Sequence, residues 1–161
     1  MRYIPLWLAL TALLATVSPV HATEGPAQID TPAARTNADA GLLQILQDHQ
    51  WSLKAATDSQ AHAIATLFPP DAGPYVFTFS SSMLNLQGGC NNLGGGYQIN
   101  VQGQLAADQM QSTMMACEPA LMQADTALAA LLAQPLQITI AWGAPPQLQL
   151  RTAAAETLAL E

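Results

Sequence analysis

The sequence predicts a mainly β domain: several short strands and one helix, over about residues 118–134. Three observations carry this. Several short stretches alternate apolar and polar residues with the period of two that a half-buried strand shows. Clusters of Gly, Asn, Ser and Pro punctuate them, as turns require. Only after Glu118-Pro119 do apolar residues recur clearly at helical spacing.

Taken in order, Leu42, Leu43, Ile45 and Leu46 follow Asn37 and Asp39, either of which suits a helix cap. The same residues also fit the start of a strand leading into Trp51. Residues 23–45 as a whole read as a flexible N-terminal arm, with Gly25, Pro26 and Pro32 among small polar residues. Trp51-Ser52-Leu53 alternates as a first strand would. Ala61 to Leu67 fits a helical turn or a strand, and Pro69-Pro70-Asp71 ends it with turn chemistry. Tyr75 to Phe79 is aromatic and β-branched, with Tyr75, Phe77 and Phe79 on one face. Ser80-Ser81-Ser82 turns the chain, and Met83 to Gln87 returns with Leu84 and Leu86 facing in. Gly88 to Gly96 reads as a tight turn at positive φ that leaves Cys90 pointing inward. Tyr97, Ile99 and Val101 form a third core strand, Gln102-Gly103 a turn, and Leu105 begins a short return. Met110, Met114 and Met115 read as core packing.

The helix opens at Glu118-Pro119, since proline suits the first helical position and an acidic residue the N-terminus. Leu121, Ala124, Leu128, Leu131 and Leu132 form its apolar stripe, and Pro135 ends it. Leu136 to Trp142, Leu148 to Arg151 and Thr157 to Leu160 complete the strands, with a Gly143-Ala144-Pro145-Pro146 turn between the first two.

Only 9% of the residues are charged and 50% are apolar, which excludes a disordered chain. The net charge of −7 excludes nucleic-acid and anionic-lipid partners, which need a patch of Lys and Arg. Residues 1–22 have the form of a secretory signal: Arg2, an apolar run from Leu6 to Val17, then Val20-His21-Ala22 as a cleavage site. The rival reading is a retained anchor, but the run is shorter than the roughly 20 residues a span needs. No cysteine lies near the cleavage site to carry a lipid. The expected location is therefore periplasmic or secreted, with no stable membrane span after cleavage.

Export gives the two cysteines meaning, because thiols in an oxidising compartment mostly pair. Cys90 and Cys117 form a disulfide on this reading. Two free buried thiols and a metal site are the alternatives, and zinc would need two further ligands where only His49 and His62 remain beyond the signal. No catalytic residue, metal or cofactor is expected. The serine cluster lacks a nucleophile elbow. The glycines lack the Lys-Ser/Thr of a phosphate loop. The methionines lack the spacing and nearby His of a copper site. Asp108, Glu118 and Asp125 read as solvated surface on a turn and a helix face.

Gly89-Cys90-Asn91, then a Gly94-Gly95-Gly96-Tyr97 strand, then Thr113-Met114-Met115-Ala116-Cys117 before a helix, resembles the META domain family. These domains are also called HslJ-like, after a heat-inducible bacterial envelope protein. The resemblance spans roughly Leu46 to Glu161 and rests on Gly89, Cys90, Asn91, Tyr97, Thr113, Met115, Ala116 and Cys117. It implies a strongly curved antiparallel barrel-like sheet with one helix, and mostly exported or lipid-anchored proteins without known catalysis. It supplies no catalytic residue. The sequence departs from the family in using three glycines before Tyr97 and in lacking a lipid-anchor cysteine.

The function expected is thus a non-enzymatic envelope or stress-associated interaction module. It would act as a monomer on an envelope protein through loops or a sheet edge. A barrel holding a small apolar ligand or lipid is one alternative. An inhibitor of exported hydrolases, presenting Asn91, Asn92 and the Pro145-Pro146 loop, is another.

Overall fold

The computed structural model describes residues 32–161 apart from Asp71. The signal and residues 23–31 of the predicted arm lie outside the described residues. Eight strands close a barrel: β1 (Gln50–Thr57), β2 (Val76–Phe79), β3 (Met83–Gln87), β4 (Leu93–Ile99), β5 (Gln104–Ser112), β6 (Leu136–Ala141), β7 (Gln147–Arg151) and β8 (Thr157–Leu160). Each pairs antiparallel with the next, and β8 returns to β1. The alternation read in the sequence sets which side chains point in. Phe77 sits opposite Leu86 and Phe79 opposite Leu84 across β2 and β3. Ile138 sits opposite Leu150, and Leu150 opposite Leu158, across β6 to β8. These inward residues are buried, and they fill the barrel with side chains.

Two helices stop the two ends. Helix α1 (Pro32–Asp48) runs straight into the start of β1. Helix α2 (Pro119–Leu132) joins β5 to β6, which in an up-and-down barrel is the opposite end. Leu46 of α1 is wholly buried, and its carbonyl accepts the Trp51 indole N–H at 3.1 Å. From α2, Ala124, Leu128, Leu131 and Leu132 enter the core, beside Leu67 of a short 3-10 turn (Ala65–Leu67). The open mouth that a lipid-binding barrel requires is therefore absent from the described residues.

Three expectations are corrected. Residues 32–45, expected in a flexible arm, are helical in α1. The signal was weak because Leu42, Leu43, Ile45 and Leu46 occupy only the last turns, while the first half holds small and polar residues. Gly94, Gly95 and Gly96 belong to β4 rather than to a turn. The short return at Leu105 is a nine-residue strand.

The glycines matter because β5 carries a bulge. Gly94 pairs with Gln111 and Gly96 with Asp108, so an extra residue of β5 faces Gly95. Gln109 there adopts φ 48°. A Cβ on Gly95 would lie 2.7 Å from the Asp108 carbonyl oxygen and 2.9 Å from the Met110 Cα. No other residue fits.

The same bulge guards the weakest seam. β5 and β6 share only the pairs Gln104–Gln137 and Leu105–Leu136. The Tyr97 N–H donates to Ser82 on the β3 side, so by alternation Ala107 points its peptide groups toward the open side of β5. Two residues on, the bulge ends the regular edge, which blunts strand addition by another chain.

Leu46→Ala is expected to lower the unfolding free energy by about 2–5 kcal/mol. Urea denaturation would show a lower midpoint at unchanged slope. An unchanged midpoint would place α1 outside the cooperative unit.

Candidate functional site

The residues singled out by the sequence converge where the β3–β4 loop, the chain after β5 and α2 meet. Cys90 and Cys117 are joined in a disulfide with Cα atoms 5.8 Å apart. That pairing removes both the free-thiol and the metal alternatives for these two residues. It closes a loop spanning 27 positions, worth about 3–4 kcal/mol by chain entropy.

Asn91 fastens the same two segments side by side. Its Oδ1 accepts the Met115 N–H at 2.7 Å and the Thr113 hydroxyl at 3.0 Å. Its Nδ2 donates to the Met115 carbonyl at 3.4 Å. Next to it, the Asn92 N–H donates to Thr113 Oγ1 and the Thr113 N–H donates to the Asn92 carbonyl, both at 3.1 Å. Thr113 and Asn91 are thus fixed by mutual satisfaction of donors and acceptors.

Beneath this clasp lies Asp125. It was expected on a solvated helix face, and the structure buries it to 7% exposure. Its Oδ1 accepts the Tyr75 hydroxyl and its Oδ2 the Asn91 N–H, each at 2.7 Å. Two short bonds to a carboxylate offset much of its desolvation. Position 125 stands four residues after Leu121 and three before Leu128, inside the apolar stripe. That placement was the available sequence signal. Asp108 and Glu118 are exposed as expected.

Gly89 follows from the same contact. A Cβ there would collide with Asp125 Oδ1 and lie 2.7 Å from the Tyr75 hydroxyl. Burial first, then the Asp125 carboxylate, push the Tyr75 phenol above its ordinary range. Tyr97 serves the opposite end of the barrel. Its hydroxyl donates to the Ser80 carbonyl at 2.7 Å, accepts from Gln47 at 3.4 Å, and its ring meets Phe79 edge-on.

The methionines are also corrected. Met110 packs against the core, but Met114 is 98% exposed and Met115 59%. Met122 of α2 is exposed nearby in sequence. The backbone of Met115 is held by Asn91, which turns the thioether out to solvent. Ala116 is exposed beside the disulfide.

Of the predicted interaction loops, Asn91 is half-buried and spends its side chain internally, whereas Asn92 is exposed. Pro145 and Pro146 lie at the other end. They border a concavity of about 260 Å3 with His49, Lys54 and Glu161. A larger one, about 450 Å3, lies on the outer face of α2 and is lined by Pro119, Met122, Gln123, Thr126, Ala127 and Ala130. It has no charged side chain. Among the described residues no helix is long and apolar enough to cross a membrane.

The sequence matches the META domain profile over residues 44–161. The chain belongs to the META domain family. A solved neighbour by shape is a protein from Burkholderia xenovorans, determined by NMR. The two share 27% identity and a TM-score of 0.63, over 89% of this chain and 97% of that one. No match is found among functionally curated proteins. The features carrying the META resemblance are thus mostly an internal fastening, which explains why they name a fold without naming a reaction.

Two outcomes test that account. Asn91→Ala should destabilise the folded protein by about 0.5–1.5 kcal/mol through loss of its side-chain hydrogen bonds to Thr113 and Met115, read by urea denaturation with the disulfide intact. Tyr75 carries a pH dependence. A phenol raised above its unfolded value of about 10 contributes stability in full below that value and loses it as pH rises through the folded one. Ultraviolet titration should therefore show a phenol that ionises only as the protein unfolds at high pH. Tyr75→Phe should remove that phenol and cost about 1–3 kcal/mol at neutral pH, because Asp125 loses a donor.

Proposed function

We propose that this META domain is a non-enzymatic, exported module, envelope- or stress-associated, that binds another envelope protein through the segment from Thr113 to Gln123. One observation carries the reading. The polar groups of the motif are consumed inside the fold, while Met114, Met115 and Met122 of the same segment face solvent. A segment anchored by a disulfide and by Asn91 presents apolar side chains at low ordering cost, which favours association. The uncharged concavity on the outer face of α2 continues the surface.

Charge describes the partner. The chain carries a net charge of −7 and exposed Glu118 lies within the segment, so the complementary surface is apolar where it meets the methionines and bears Lys or Arg beside them. The filled barrel and its stopped ends weigh against the ligand-carrier alternative. The guarded β5 edge weighs against strand addition.

Site-specific photocrosslinking in cells tests this. A photoreactive residue at 114 or 122 should capture one dominant envelope protein, and the same residue at exposed Gln149 on β7 should not. The captured protein, purified, should bind the wild-type domain and bind Met114→Asp about tenfold more weakly or worse. Equal capture at all three positions, or none, would sink the reading.

A further inference from the structure

We infer that Met114, Met115 and Met122 form an oxidant-sensitive modification site, at which conversion of thioether to sulfoxide weakens docking without unfolding the domain. The inference rests on the docking reading above for its consequence, but not for its chemistry.

The distribution of apolar side chains carries it. Four of the five described methionines are exposed, Met83, Met114, Met115 and Met122, whereas no described leucine is. Leucine offers similar apolar area and the chain uses it freely, always inward or half-buried. Elsewhere Phe68, Val101 and Trp142 are exposed as well, but within Thr113–Gln123 every large exposed apolar side chain is a methionine and carries an oxidisable sulfur. The other sulfurs near this surface, Cys90 and Cys117, are already joined and have no thiol to lose.

The chemistry needs only a hydroperoxide-class oxidant. A sulfur lone pair attacks one peroxide oxygen, an S–O bond forms and the O–O bond breaks. Sulfur is oxidised by two electrons, and the leaving oxygen takes up the transferred proton to depart as water from hydrogen peroxide or as an alcohol from an organic hydroperoxide. The product is a polar, chiral sulfoxide in place of an apolar group. At Met115 the backbone stays fixed, because its N–H and carbonyl are both held by Asn91. The change is thus confined to the surface. Met110 provides an internal control: it packs against the core, and its sulfur faces Gly95 inside the bulge.

The experiment treats the purified, disulfide-bonded protein with hydrogen peroxide and follows each methionine by peptide mass, alongside thermal melting. Met114, Met115 and Met122 should each gain one oxygen about tenfold faster than Met110, with the melting midpoint unchanged until Met110 reacts. Photocrosslinking from position 123 should then yield about tenfold less adduct from oxidised than from untreated protein. Oxidation of Met110 at the same rate, a melting midpoint that falls before Met110 reacts, or full capture by protein oxidised at all four exposed methionines, Met83 included, would each overturn the inference. An untreated protein that captures nothing would instead refute the docking reading, and with it the stated consequence, while the order of oxidation would still be decided.

Discussion

The Asp125 carboxylate holds together the disulfide-bearing end of the domain. It is anchored on α2 and reaches Tyr75 at the entry to β2 and the Asn91 amide in the β3–β4 loop. Burying a carboxylate without donors is costly. This requirement dictates the approach of three chain segments that are far apart in sequence. The contact leaves no room at Gly89. It also positions Asn91 so that its side chain faces the strand leaving β5. The disulfide then crosslinks what the hydrogen bonds have already aligned.

Much of the fold was legible in the sequence because its strands are half-buried and alternate cleanly. β3 and β8 match their expected ranges, and the α2 stripe names four residues that are in the core. The misses share a physical cause. At α1 the burial is confined to the last turns, so periodicity had little length to act over. At Gly94 to Gly96 the composition spoke for a turn, but the glycines answer crowding by a bulge on the neighbouring strand. Crowding of that kind is a tertiary fact with no local signature.

The site was legible in composition and illegible in role. Both cysteines pair as expected, whereas Asn91 was taken for a presented residue and spends its side chain on Thr113 and Met115. Asp125 was dismissed because carboxylates are usually solvated, although its place in the apolar stripe marked it. The methionines were assigned inward on their apolar character alone. What decides their direction is the backbone grip on Met115, which depends on a residue more than twenty positions away.

One consequence follows from how the barrel shuts. Leu53 on β1 pairs with Leu160 on β8, and Ser52 exchanges backbone hydrogen bonds with Glu161 in both directions. The first strand therefore lacks one of its two neighbours until the last four-residue strand is made, and such non-local closure is slow. For a chain made from its N-terminus, this is a built-in timer. The sheet stays an open ribbon until its C-terminal strand is available, so the closed barrel is the last state the chain reaches.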